Sequence, residues 1–457
     1  MIYDIIILGG GIAGLFTTYE LSKKYPTVKI LLLEKSDRLG GRVFTYHDKL
    51  MTVDAGAGRF SKDHIHVVKL IKELGLSNKI AASSGSAVFV PADGTNSVQN
   101  SILYAPGVMR SKPIVPLLAS PITAINGITD LVFTSGIDLA LGEKNIPNAG
   151  LIIKVIAMSK LESREYLSSI SFLEYASTIL EKRDLEYIIG SFGYYSELVI
   201  MNAYDCIQLM QNLNPKNPFF ILRGGLSQII HGLEKKIKLN KNAKILMKRS
   251  VSGLSESSGV ISIKCSNGVE YSCLKCICAV PKQVLEKISW FKPIYPLLRK
   301  IKCAPLCRIY CKFAKVGGSV WFKNLSKMTT NNNLRMIIPI DPESGVIMIS
   351  YSDNKFADFW KDLNDKEGIS GVDVELIRLV KQSTGLDIPF PESTHVFYWA
   401  CGVGYWSVGA DSSSISKQLI KPKIGSEVYV CGEHYSENFQ QWMEGALETS
   451  STILEKV

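Results

Sequence analysis

The chain of 457 residues is 46 % hydrophobic and 21 % charged, with 36 Gly and 18 Pro; this is ordinary globular usage and excludes collagen-like, disordered and disulfide-framework architectures. At roughly 150 residues per domain, the length predicts two or three domains, each with a core of its own. Lys and Arg exceed Asp and Glu by 10, but no basic run, RNA-binding signature or zinc-finger spacing concentrates the excess, so a nucleic-acid partner is not expected.

Met1 leads almost directly into a strand, without a basic region, apolar core or cleavage site, so the ten Cys are expected to be reduced thiols in a cytoplasmic setting. Tyr3 to Leu8 reads as a buried strand, Ile12 to Lys24 as a helix with Leu15, Phe16 and Tyr19 on one face, and Val28 to Leu33 as a second buried strand. Between the first strand and the helix, Gly9-Gly10-Gly11-Ile12-Ala13-Gly14 places G-x-G-x-x-G at the turn. There Gly9 and Gly11 permit a tight turn and close backbone approach to a pyrophosphate, Gly14 permits helix–strand packing, and Ile12 and Ala13 open a helix whose N-terminus faces the anion. Glu34, with Lys35 beside it, ends the second strand about 20 residues later, where a carboxylate accepts hydrogen bonds from an adenosine ribose. A further helix is expected from Asp63 to Leu74, with Gly75 as its stop.

Residues 81–219 read as a mostly helical insertion, with helical stretches at 164–180 and 184–210. In its most apolar part, Pro113 to Met158, Pro116, Pro121, Gly127, Gly136 and Pro147 keep every segment short of the roughly 18–20 residues that span a bilayer, leaving peripheral membrane contact open. Ala243 to Ser250, Gly259 to Cys265 and Val269 to Val280 read as an antiparallel meander, residues 281–424 as alternating strands and helices, and Glu427 to Cys431 as a closing strand before a helix from about Gln441.

Arg38-Leu39-Gly40-Gly41-Arg42-Val43 follows Glu34 directly, and a guanidinium beside glycine amides suits a pyrophosphate. This pair of motifs resembles the flavin-containing amine oxidase family, which binds FAD. Val53 to Arg59, Phe220 to Leu226, Cys278 to Pro281, and above all Val428 to Glu433 with Trp442 to Ala446, are similar to further segments of that family. The resemblance implies an α/β fold: a Rossmann-like FAD-binding domain with a β-meander (1–80, 220–285, 425–457) and an α+β substrate domain with the helical insertion (81–219, 286–424). By the same match Gly41, Arg42, Gly58, Gly432 and Glu433 join Glu34 and Lys35 at the cofactor, Val251 ends the first meander strand against the adenine, and Met443 stands at a helix N-terminus facing the flavin. Tyr405 and Trp442 fall on the two aromatic positions flanking the substrate nitrogen. Gly404 falls where covalently flavinylated members carry a cysteine, which implies noncovalent FAD. Arg308 falls on the family's water-holding lysine, a departure because arginine keeps its proton and is bulkier.

Arg59 resembles the carboxylate-binding arginine of L-amino acid oxidases; its alternatives are an FAD phosphate contact or an exposed charge. The expected activity is hydride removal from the C–N bond of an amine or amino acid, with oxygen reduced to hydrogen peroxide. A C–C desaturase of the same superfamily and a flavin-binding protein without turnover are the alternatives. Oligomeric state is open, a homodimer included, and the usage of Lys, Ile and Asn hints at a large DNA virus. Cys273, Cys276 and Cys278, and Cys303, Cys307 and Cys311, have no His nearby in sequence and are expected to be buried thiols, so no metal is expected. Of the six His, His434 is the one placed to line the flavin site.

Overall fold

Ile5 to Leu8 and Ile30 to Leu33 are all buried, as strands inside a parallel sheet must be. The computed structural model describes residues 2–83, 88–89, 149–212 and 219–457. It places the two runs in β1 (Ile2–Leu8) and β2 (Ile30–Leu33), parallel neighbours connected by α1 (Ile12–Lys24). The hairpin β3–β4 (Thr45–His47, Thr52–Asp54), β5 (Phe60–Ser61), α2 (Ile65–Glu73) and β6 (Ile80–Ala82) follow. Gly75 adopts φ 74°, the left-handed conformation expected of a helix stop.

After β7 (Val88–Phe89) come six described helices: α3 (Ala149–Ser159), α4 (Arg164–Ser169), α5 (Phe172–Ser177), α6 (Lys182–Ser191), α7 (Tyr195–Val199) and α8 (Ala203–Asn212). Each of the two long helical stretches is therefore divided. Ser171 interrupts the first by forming a reciprocal capping box with Glu174, which starts α5 afresh. Their apolar faces share a core that includes Ile152, Phe172, Leu198 and Met210, and Tyr405 packs into it. Most of the apolar stretch before Met158 lies outside the described residues.

The next segment runs β8 (Phe219–Leu222), α9 (Ser227–Ile237), β9 (Ala243–Leu246), β10 (Val251–Ser257), β11 (Val260–Cys265) and β12 (Glu270–Cys278). Here the expected meander is corrected. The run from Ala243 is a parallel neighbour of β2, whereas the first meander strand is β10, which pairs antiparallel with β11. Val251 consequently begins that strand rather than ending one. Ser-rich β10 lacks the apolar content that marks a strand, because only Leu254 of it is buried.

Short helices α10 (Lys282–Leu285) and α11 (Tyr295–Leu298) lead into β13 (Ile301–Lys312), β14 (Met328–Thr329), β15 (Met336–Asp341), β16 (Val346–Asp353), α12 (Asn354–Thr384), β17 (Ser393–Trp406), α13 (Ser412–Ile420), β18 (Val428–Val430) and α14 (Met443–Leu454). One sheet has the order β10-β11-β12-β1-β2-β9, with β18 added in parallel beside the end of β12. The other has the order β17-β13-β16-β15-β14-β7. Among the described residues, no helix is long and apolar enough to cross a membrane.

The first and last segments are locked together at α2. Glu444, fully buried, accepts hydrogen bonds from the backbone N–H groups of His66 (2.9 Å) and Val67 (3.0 Å), so a side chain from α14 caps the first turn of α2. Glu444→Ala is expected to lower stability by about 1–2 kcal/mol, seen as a lower urea midpoint at unchanged slope. An unchanged midpoint would show that water replaces the carboxylate.

Candidate functional site

The glycine turn is built by contact. A Cβ on Gly9 would lie 2.4 Å from the Ala279 carbonyl oxygen, and one on Gly14 only 1.9 Å from the Gly9 oxygen, so neither position admits a side chain. Gly11 differs: a Cβ there would meet no atom within 4 Å. The open face lies over the start of α1, where no side chain caps the helix. Glu34 is buried at the end of β2 and accepts from Gly10 N (2.6 Å) and Ser36 N (2.8 Å). Gly40 N donates to the Gly10 carbonyl (2.8 Å), which brings Gly41, at φ 56°, against Gly11. Arg249 N donates to the Glu34 carbonyl and so carries the half-buried Val251 toward the same edge. Ile12 and Ala13 are buried in the first turn, and Lys35 is exposed.

Arg42 projects from this turn to the chain's far end. It pairs with Glu433 and donates to the Gly402 carbonyl on β17 (3.0 Å). Burial alone would raise the Glu433 carboxyl; Arg42 and His434 overcome it and hold the group at about 2. Gly432, at φ 137°, makes the turn that aims Glu433 inward. Met443 begins α14, its side chain buried in the core beside α1. A Cβ on Gly404 would come within 2.7 Å of the His434 ring, so no side chain, and no attachment cysteine, fits there as the site stands.

The other half of the site is an arc of rings and cations. Arg308 donates to the Asp54 carbonyl (2.7 Å), as does Tyr310 (2.8 Å), and its guanidinium lies over the Tyr351 ring at 4.7 Å. A Cβ on Gly58 would stand 2.9 Å from Arg308 Nη1, so the two residues are in close contact. Tyr351 meets Tyr194 edge-on, and the Tyr194 hydroxyl accepts from Arg59 Nη2 (2.6 Å). Arg59 in turn covers Phe219 (4.2 Å) and approaches Trp442 (5.7 Å), while Phe219 and Trp442 stack with centroids 5.3 Å apart. Arg59 thus faces Trp442 and not the glycine turn. Tyr405 is fully buried at the end of β17, and no ring contact joins it to Trp442 among the described residues.

Two residues here have no counterpart among the sequence-derived candidates. Glu197, buried on α7, is raised to about 8 by burial and by Asp353, against the pull of Arg59. Lys327, half-buried, is lowered to about 7 by lost hydration and by the Arg59 charge. Neither sits in a motif, and only the fold brings them to Arg59. The structure also corrects the reading of Cys303, which is not a thiol: it is disulfide-bonded to Cys401. The two sulfurs and His434 lie within 4.8 Å of one another, although the sequence puts no His near Cys303.

The open face above Gly11, the uncapped helix start, the anchored Glu34 and the Arg42 guanidinium suit a dinucleotide with a pyrophosphate. Residues 12–452 match the family described as flavin containing amine oxidoreductase. The chain belongs to this family. It is accordingly an FAD flavoprotein of the α/β class with a Rossmann-like unit. An uncharacterised protein of Acanthamoeba polyphaga mimivirus is 23 % identical, covering 99 % of this chain and 93 % of its own length. Achacin of Lissachatina fulica is 22 % identical, over 99 % and 92 %. Cyclohexylamine oxidase of Brevibacterium oxydans superposes with a TM-score of 0.69 at 15 % identity, over 100 % of this chain and 99 % of that one.

Gly11→Val separates fold from cofactor, because a Cβ at this position meets no atom within 4 Å. The variant is expected to keep the wild-type melting behaviour without cofactor while losing the yellow colour. Acid precipitation of wild type is expected to release the flavin into the supernatant; colour left in the pellet would contradict noncovalent binding.

Proposed function

We propose that this flavoprotein oxidises the C–N bond of an L-amino acid, or of an amine with a nearby carboxylate, with oxygen as the final acceptor. The observation that carries this reading is the position of Arg59 between Tyr194, Phe219 and Trp442. A guanidinium whose fork is partly free above an aromatic floor binds carboxylate in two-pronged fashion, while it repels a polycation. In this reading Gly9, Gly11, Gly14, Glu34, Gly41, Arg42, Val251, Gly432, Glu433 and Met443 hold FAD, and Tyr405 and Trp442 restrict the approach of the amine. Bound FAD supplies a hydride acceptor at N5. Trp442 presents a ring face to the substrate, Arg59 fixes the carboxylate, and Glu197, neutral below about 8, leaves the Arg59 charge available. The imine product hydrolyses to a keto acid and ammonia, and the electron pair passes to oxygen to give hydrogen peroxide. The likeness to a mimivirus protein supports a large-DNA-virus source.

Anaerobic mixing with paired substrates tests the assignment. An L-amino acid is expected to reduce the flavin faster than its decarboxylated amine, and Arg59→Ala to remove that preference at a cost of roughly 1.5–3 kcal/mol with FAD content unchanged. Flavin loss from Arg59→Ala would instead move the residue to the cofactor, and reduction by neither class would favour a protein without turnover.

The charges around Arg59 also set a pH dependence. Lys327 loses its positive charge as pH rises through about 7, and Glu197 gains a negative one through about 8, so both changes weaken the hold on a carboxylate. For amino acids, kcat/KM should fall from pH 6 to pH 9, and Glu197→Gln should flatten the upper part of that fall. A profile unchanged in Glu197→Gln would remove Glu197 from the site.

Arg308 is pinned to the Asp54 carbonyl at the position proposed to hold a water at the flavin. Reoxidation by oxygen should be slower in wild type than in Arg308→Lys, whose ammonium is compact and hydrated. Equal stopped-flow rates would dismiss the effect.

A further inference from the structure

Cys303 on β13 and Cys401 on β17 form a disulfide with Cα atoms 5.1 Å apart, whereas the other eight cysteines are free and buried. The bridge sits where the pairing of these strands is irregular. Ala304 pairs with Val403 and Leu306 with Trp399, so residues 400–402 face a single residue of β13. Such a bulge re-aims side chains; here it turns Cys401 toward Cys303 and the Gly402 carbonyl toward Arg42.

The surroundings of the sulfurs are polar. Gln283 Nε2 donates to Cys303 Sγ (2.6 Å), and His434 Nε2 lies 3.6 Å from Cys401 Sγ and 4.0 Å from Cys303 Sγ. The Lys282 backbone N–H donates to His434 Nδ1 (3.3 Å), so the neutral ring carries its proton on Nε2, facing Glu433 at 3.1 Å and the sulfurs. Arg42 Nη1 is 3.4 Å from the same nitrogen. A bridge that only ties two strands together needs none of these groups. A thiolate needs hydrogen-bond donors and a nearby positive charge, and an ordinary buried cysteine of this chain, such as Cys307, has neither: burial raises its thiol well above the usual range.

We infer that Cys303 and Cys401 are a second two-electron centre of the holoenzyme, a dithiol–disulfide pair that exchanges an electron pair with the flavin. The inference rests on the reading that Arg42 and Glu433 hold FAD. In the oxidising direction the two thiols lose two protons and two electrons as the S–S bond forms; both electrons and one proton pass to oxidised flavin, and the second proton is released to solvent. The reverse step returns the electron pair from reduced flavin to the disulfide, with His434 Nε2–H next to the leaving Cys401 sulfur.

Illuminating the yellow holoenzyme with EDTA under anaerobic conditions feeds electrons in through its flavin. Samples are then quenched in denaturant with iodoacetamide, and the modified cysteines are mapped by mass spectrometry. The dark sample should give the eight free cysteines, and the bleached sample all ten, with the two new sites at Cys303 and Cys401. Complete bleaching should consume four electrons per flavin in wild type and two in Cys303→Ser. A bleached flavin with both cysteines still unmodified, or uptake of two electrons by wild type, would overturn the inference while leaving the cofactor reading intact. Protein purified without flavin would overturn the cofactor reading itself, and the inference with it. The wild-type thiol count decides the matter even where Cys303→Ser does not fold.

Discussion

A buried carboxylate cannot stand alone in a protein interior, and Glu433 is met by Arg42 first, then by His434 and the Gln441 N–H. That pair joins the turn after β2 to the turn after β18, and through the Gly402 carbonyl it reaches β17 of the second sheet. Three distant parts of the chain are thereby held at one point. Removing Arg42 would leave the buried Glu433 with only His434 and the Gln441 N–H against its charge, which destabilises the fold. Because the folded-state carboxyl titrates at about 2 against an ordinary 4.5, the pair stabilises the fold fully above about pH 4.5 and ceases to do so only as pH falls toward 2.

The opposite side of the site gathers charges of both signs. Arg59, Arg308 and Lys327 lie there, with Glu197 beside Arg59, Asp54 beside Arg308 and, further back, Asp353. Arg308 spends its hydrogen-bonding on a backbone carbonyl and its face on Tyr351, so it is a fixture of the wall. Lys327 gives up part of its charge instead of sharing the space with a second full cation.

The beginning and end of the chain were the most legible parts of the sequence. The α1 boundaries, the Gly75 stop and the G-x-G-x-x-G turn follow from local sterics, and local sterics are written in adjacent residues. The meander was misplaced by one strand because β10 is mostly polar and β9 is not antiparallel; edge strands of a sheet carry little apolar signal. The helical stretches were right in type and wrong in continuity, since a single serine with a glutamate three residues on was enough to restart the helix. Within the site, motif-borne residues such as Glu34, Arg42 and Glu433 were recoverable. Glu197, Lys327 and the Cys303–Cys401 bridge were not, because each depends on elements about 100 residues or more apart in the chain meeting in space.

The cap that Glu444 places on α2, and the pairing of β18 with β12 beside β1, have a consequence for biosynthesis. A ribosome releases the N-terminal strand–helix–strand long before residues 428–454 exist, yet the helix cap and the last parallel strand come from there. During translation the side of β1 that β12 covers stays unpaired until residues 270–278 are made, and α2 stays uncapped until residue 444 is. Such exposed strand edges are where nascent chains misassociate. Removing α14 would take away both the carboxylate that caps α2 and the apolar face that packs beside α1.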